Sequence, residues 1–95
     1  MSKVKVYPAH KEFTGKAHIN IEMYEEMYRE SIDSPDSFWS KQAKDFLDWK
    51  KSWDQVNSYN FGTGEAAWFS GGLLNVTVNC IDRHLDTKGN QTAII

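Results

Sequence analysis

Ninety-five residues allow one domain at most, or one piece of a larger one. Apolar residues make up 40% and aromatic residues 14%, with four Trp, four Tyr and five Phe, which is too aromatic for a disordered region. A formal net charge of −2 argues against the concentrated basic face that a nucleic-acid binder needs.

The single cysteine, Cys80, has no partner for an internal disulfide. Val4, Val6 and Tyr7 are interrupted by Lys5, and Pro8 follows, so the basic start is not backed by the apolar run of a secretory signal. No stretch approaches the ~20 apolar residues of a membrane span. These features point to a reducing, cytoplasmic home and to no membrane partner. Thirteen rings are more than so short a chain hides, so some are expected to face a partner or the rest of a parent protein.

Residues 1–19 read as a flexible leader, extended or mobile. Short alternation at Val4 and Val6 is broken by Pro8, and Gly15 and two His follow. Lys3, Lys5, Lys11 and Lys16 stand there against Glu12, a pattern that reads as a solvated terminus. Asn20 is placed to cap a helix over about 21–32, with Ile21, Tyr24, Met27, Tyr28, Ser31 and Ile32 at helical spacing. Glu22, Glu25 and Glu26 suit the positive end of its dipole.

Asp33-Ser34-Pro35-Asp36-Ser37 punctuates the chain: Ser34 can cap, and Pro35 fits the first helical position. Phe38, Trp39, Gln42, Ala43, Phe46 and Leu47 then form the stripe of a second helix over about 35–48. From Trp49 to Gly64 the periodicity fades, which predicts a loop anchored by Trp53, Val56, Tyr59 and Phe61. Glu65–Phe69 can pair as a short strand, stopped by Ser70-Gly71-Gly72.

Residues 74–86 admit two readings. Leu74, Val76 and Val78 alternate like a strand. Asn75 is nonetheless a good N-cap, and Val76, Cys80, Ile81, His84 and Leu85 fall on one helical face, which favours a helix over about 75–86. Ala93-Ile94-Ile95, after a Gly-Asn turn, reads as the first residues of a buried strand, and so as the opening of something longer. The fold class expected is mainly α with short strands: three short helices, loops and one or two short strands, an α+β fragment at the N-terminal end of a larger α/β domain.

The run Leu74-Asn75, Asn79-Cys80-Ile81-Asp82-Arg83-His84-Leu85 and Thr92-Ala93-Ile94-Ile95, preceded by Trp68-Phe69 and Gly71-Gly72, resembles the amino-terminal region of AMP-forming acetyl-CoA synthetases, members of the acyl-adenylate-forming enzyme superfamily. Upstream, Tyr24, Tyr28-Arg29-Glu30-Ser31-Ile32, Pro35-Asp36-Ser37-Phe38-Trp39, Ala43 and Leu47-Asp48-Trp49 fit the same region. The resemblance covers residues 20–95; propionyl-CoA and other short-chain acyl-CoA synthetases share much of the pattern. It implies a parent acetate–CoA ligase that uses ATP and magnesium to make an acetyl-adenylate, from which coenzyme A displaces AMP. It also implies that Asn75–Leu85 is a helix, that Ala93-Ile94-Ile95 begins the first sheet strand of the large domain, and that the rest of the synthetase chain is the partner. The phosphate-binding loop, the metal, acyl and coenzyme A contacts and the catalytic lysine of that family have no counterpart in these residues. No catalytic, cofactor-binding or metal-ligating residue is therefore assigned, and the segment by itself is expected to be inactive.

The residues themselves agree. No Gly-x-x-x-x-Gly-Lys-Ser/Thr loop is present, and Gly71-Gly72 reads as a turn. Cys80 and His84, four apart, could touch one metal, but zinc needs three or four ligands. As a nucleophile Cys80 is unpromising, since it sits in an apolar stripe where thiols are buried and inert. Arg83 could contact phosphate, yet an Arg83–carboxylate pair tying the segment to a neighbour, with His84 half-buried, is the plainer reading. Phe38, Trp39, Phe46, Leu47, Trp49 and Trp53 could line a ligand cup; at helical spacing they read as core or interdomain packing, as do Tyr24 and Tyr28. The competing function is a free-standing helical module that binds a partner protein through exposed rings. Self-association of the isolated chain is expected from its uncovered aromatics.

Overall fold

In the computed structural model the described residues are 4–95. Met1 to Lys3, the start of the expected leader, lie outside them. From Val4 to Asn20 every residue is exposed. Within this stretch one helical turn forms, α1 (Lys11–Thr14). The His10 ring accepts from the Glu12 N–H at 3.4 Å, and the Gly15 N–H closes the turn on the Lys11 carbonyl at 3.0 Å.

Helix α2 (Ile21–Asp33) begins as expected, with the Asn20 side chain accepting from the Met23 N–H at 2.8 Å. Helix α3 (Pro35–Phe46) follows after a single residue. Ser34 serves both helices, but through its backbone: its N–H donates to Glu30 O at 2.9 Å and its carbonyl accepts from Phe38 N at 3.0 Å. The expected hydroxyl cap is not made, because φ −141° and ψ 60° at Ser34 depart from the extended geometry that aims a side-chain oxygen at the helix. Pro35 at the first helical position supplies the start instead. The two helices pack against each other, and Phe38 and Ala43 of α3 are buried.

α3 stops at Phe46, two residues before the expected end, and Leu47 is extended (φ −124°, ψ 139°). Two carbonyls of its last turn also accept bonds from outside the helix. The Trp49 indole N–H donates to Ala43 O at 3.0 Å, and the Arg83 guanidinium donates to Phe46 O at 3.0 Å.

The loop expected over 49–64 is mostly strand. β1 (Trp49–Lys51), β2 (Gln55–Asn60), β3 (Glu65–Ser70) and β4 (Leu73–Leu74) form two nested antiparallel ladders, β1 with β4 and β2 with β3. Register runs from Gln55 opposite Ser70 to Asn60 opposite Glu65, and Trp49 lies opposite Leu74 with an irregularity before Lys51. The whole is one long hairpin, kinked at Trp53-Asp54 and Gly71-Gly72. Gln55-Val56-Asn57-Ser58-Tyr59-Asn60 carries no apolar alternation because most of its side chains meet solvent, so backbone pairing with β3 is what makes it a strand.

Gly71 lies in the left-handed region (φ 80°), and so does Phe69 (φ 52°), which is uncommon for a residue with a side chain. Phe69 is held there by its ring, 5.1 Å from Trp53 and 5.5 Å from Trp49 between centroids. At Gly72 a Cβ would stand 2.7 Å from Trp49 Cζ3 and 3.0 Å from the Phe69 carbonyl oxygen. Gly72→Ala is therefore expected to cost roughly 1–2 kcal/mol by pushing the indole off the turn. The measurement is the urea midpoint, and a midpoint equal to that of the parent chain would contradict the packing described.

The helix expected over 75–86 is broken. α4 (Val76–Cys80) is capped by Asn75, whose side chain accepts from the Val78 N–H at 3.1 Å. Ile81 then leaves helical geometry (φ −127°, ψ −67°), and a 3-10 turn over Asp82–His84 leads into α5 (Leu85–Lys88). Val76-Thr77-Val78 is β-branched and a weak helix former, so tertiary bonds at Asn79 and Arg83 set the local path. Residues 92–95 form no strand, against the expectation for Ala93-Ile94-Ile95. A strand needs a neighbour, and none of the described residues pairs there.

The architecture is thus mainly helical with short antiparallel strands, and it is open. Its accessible surface is 8932 Å², against about 5600 Å² for a compact chain of this mass. The radius of gyration is 18.8 Å, where about 12 Å is usual for this length.

Candidate functional site

The tightest cluster of specific contacts lies where α3 ends, β1 begins and α4 returns. Asn79 is its centre. Its side-chain oxygen accepts from the Asp48 N–H at 2.8 Å, and its amide donates to the Asp48 carbonyl at 3.0 Å and to the Asn75 carbonyl at 3.0 Å. The first two bonds copy one rung of an antiparallel ladder, with a side-chain amide standing in for a strand. Asn79 is the most buried polar residue among those described, at 6% exposure. None of the described buried side-chain polar atoms lacks a partner.

Arg83 adds a second strap. One guanidinium nitrogen reaches Phe46 O at 3.0 Å, and another lies 3.5 Å from the Asp48 carboxylate. The expected Arg83–carboxylate pair is present, and a cation sits at the C-terminal end of α3 where the helix dipole favours it. Since Asp48 is largely exposed, the hydrogen bond to the helix carbonyl matters more than the ion pair. His84 is half-buried, with its Nε2 3.4 Å from the Arg83 Nε.

Beneath this joint lies an aromatic cluster. Trp49 and Trp53 meet edge to face at 4.9 Å between centroids, and Phe69 touches both. Lys44 lies over the Trp53 ring at 5.8 Å. On α3, Trp39 meets Phe38 at 5.0 Å and Trp68 at 6.1 Å. The rings fill one another's space, so this set packs the hairpin onto α3. Tyr24 and Tyr28 stack at 6.3 Å on the exposed side of α2.

Cys80 is exposed, where burial in an apolar stripe was expected. The reason is rotation of the helix: α4 docks through Asn75 and Asn79, so the face carrying Cys80 turns outward. The break at Ile81 also spoils the i, i+4 relation that would have brought Cys80 and His84 to one ion. Among the described residues, no group of three or more His, Cys, Asp or Glu is placed to hold a metal. At the surface, a hydrogen bond to Asp45 at 2.7 Å, with the attraction of its carboxylate, holds the Lys41 ammonium above the usual lysine value. Asn79 is the residue that sequence reasoning passed over. A signal existed, since Asn is a poor helix-interior residue unless its side chain has a specific partner.

The arrangement aligns chain segments and presents no converging acid, base or nucleophile among the described residues. Residues 24–80 match the family described as "Acetyl-coenzyme A synthetase N-terminus". The chain belongs to that family.

The acetyl-coenzyme A synthetase N-terminus match takes in nearly all of α2, all of α3, both ladders and α4, and it ends just past Asn79. Over its whole length the chain is 54% identical to the acetyl-coenzyme A synthetase of Saccharophagus degradans and 53% identical to that of Alkalilimnicola ehrlichii. It is 45% identical to acetyl-coenzyme A synthetase 2 of Pseudomonas aeruginosa. It spans 15% of the length of each of these relatives. No described helix is long and apolar enough to cross a membrane.

Proposed function

We propose that this chain is the N-terminal segment of a cytoplasmic AMP-forming acetate–CoA ligase, and that its part is structural. The observation that carries the reading is identity of 54% along the whole chain to a protein named acetyl-coenzyme A synthetase, in a segment that is 15% of that protein. The parent reaction has two steps. Acetate attacks the α-phosphorus of ATP, giving acetyl-adenylate and pyrophosphate. The coenzyme A thiol then attacks the acetyl carbon and AMP leaves. ATP, magnesium and coenzyme A belong to the remainder of the synthetase. Here Asn79 and Arg83 clamp the α3–β1 corner, so that residues 20–95 support the nucleotide-binding domain from a set position, with residues 1–19 as leader.

The test is a chimaera in which this chain replaces the N-terminal segment of one of the matched synthetases. Acetate-dependent exchange of pyrophosphate into ATP is expected at a rate within about threefold of the unmodified synthetase, with propionate slower. Calorimetry of the 95-residue chain with ATP or coenzyme A is expected to show no binding heat. A soluble, folded chimaera without exchange would overturn the reading, and so would nucleotide binding by the short chain.

A further inference from the structure

The exposed stretch from Val4 to Asn20 carries Lys5, Lys11 and Lys16 against Glu12 alone. Helix α2, which follows directly, has the opposite balance, with Glu22, Glu25, Glu26, Glu30 and Asp33 against Arg29. Along α2, beside the half-buried Met27 and Ser31, runs a stripe of Ile21, Tyr24, Tyr28 and Ile32, exposed by 68%, 57%, 60% and 63%. A groove of about 420 Å³ follows the stripe, floored by Tyr24, Tyr28 and Ile32 and rimmed by Glu25, Arg29 and Asp33. A smaller groove, of about 230 Å³, lies on the α3 side of the same tyrosines, and Ile19 lines it together with Met27 and Phe38. The last residues before α2 therefore already lie against the stripe.

We infer that residues 11–19 close over α2 as a strap running antiparallel to it, with Phe13 seated between Tyr28 and Ile32, Lys16 beside Glu25 and Lys11 beside Asp33. The lengths match. An extended chain advances ~3.3 Å per residue and a helix ~1.5 Å. Residues 15–19 extended, with α1 kept as one turn, reach roughly 20 Å back from Ile19, about the distance from Ile19 to Asp33 along α2. By the same spacing Lys16 and Glu25 both lie about 10 Å from Ile19, and Phe13 falls between Tyr28 and Ile32. In the structure the strap stands open, with Phe13 75% exposed. The acidic rim calls for a basic occupant, and the leader is basic. Two copies of α2 would instead set carboxylate against carboxylate. Attachment at Asn20 also favours the chain's own leader over that of a second copy, because it holds the leader at high local concentration.

The same chimaera, as an equal mixture of isotope-labelled and unlabelled chains, is treated with a water-soluble carbodiimide, which joins lysine amines to carboxylates in contact. The linked peptides are identified by mass spectrometry, a readout independent of acetate turnover. Lys16–Glu25 and Lys11–Asp33 links within single chains are expected to dominate. Their yield should fall at least about fivefold in Phe13→Ser, which keeps every charge but loses the burial of the ring. Lys16→Glu should abolish the first link, and Lys16→Glu combined with Glu25→Lys should restore it with the roles exchanged. Absence of both links would overturn the inference, since the groove then belongs to another occupant. Links spread evenly over the α2 carboxylates, or indifferent to Phe13→Ser, would overturn it too, as the mark of a loose basic tail. Links found only between labelled and unlabelled chains would do the same, by assigning the groove to a second copy.

Discussion

Asn79→Ala is expected to lower the stability of the chain by roughly 2–4 kcal/mol. Three hydrogen bonds disappear with the side chain: two to the backbone of Asp48, at 2.8 and 3.0 Å, and one to the Asn75 carbonyl at 3.0 Å. Each is worth about 1 kcal/mol net, and the part-buried Asp48 N–H and C=O are then left with no partner from this chain. Asn79→Asp separates acceptor from donor. It keeps an oxygen for the Asp48 N–H but sets a second oxygen against the Asp48 and Asn75 carbonyls, so its loss should equal or exceed that of the alanine variant. Urea unfolding followed by circular dichroism measures both. A change under about 0.5 kcal/mol for either variant would mean that the α4 segment is not held by this side chain.

Trp49→Ala should cost about 2–3 kcal/mol, somewhat below the usual value for a fully buried Trp because this ring is only half-buried. Its indole N–H donates to the Ala43 carbonyl at 3.0 Å, which is one reason α3 can end where it does. Its ring contacts Trp53 and Phe69 and lies close to the turn at Gly72. Trp49→Phe divides these roles. It retains most of the ring contact and loses the hydrogen bond, so about 1 kcal/mol is expected. Equal losses for the two variants, read from the same unfolding curves, would show that the hydrogen bond alone matters. In a chain with so small a core, either Asn79→Ala or Trp49→Ala removes much of the margin that a folded domain has.

Both predictions concern one joint, and the joint explains why the segment can be so open and still have a defined path. Few apolar side chains are buried, so the positions of α3, β1 and α4 are set by directed bonds from Asn79, Arg83 and Trp49. Directed bonds fix orientation well at small area. They leave apolar side chains of α2 and of residues 73–85 exposed.

Local signals in the amino-acid order determined where elements begin. Asn20 and Asn75 cap, Pro35 starts a helix, and Gly71-Gly72 makes the turn, because each acts through its own backbone or through residues three positions away. The family was legible too, since spaced motifs survive without knowledge of contacts. Three features were decided only in the tertiary structure. β1 and β2 are strands because β4 and β3 return to pair with them, a nonlocal event that Gln-Val-Asn-Ser-Tyr-Asn does not advertise. α3 ends at Phe46, where Leu47 turns extended and Trp49 and Arg83 reach its last carbonyls. Residues 73–85 face outward with their apolar side because Asn79 finds the Asp48 backbone thirty-one residues away. The break at Ile81 divides the helical face that periodicity outlines, and the bonds of Asn79 to the Asp48 backbone set how α4 faces the rest of the chain.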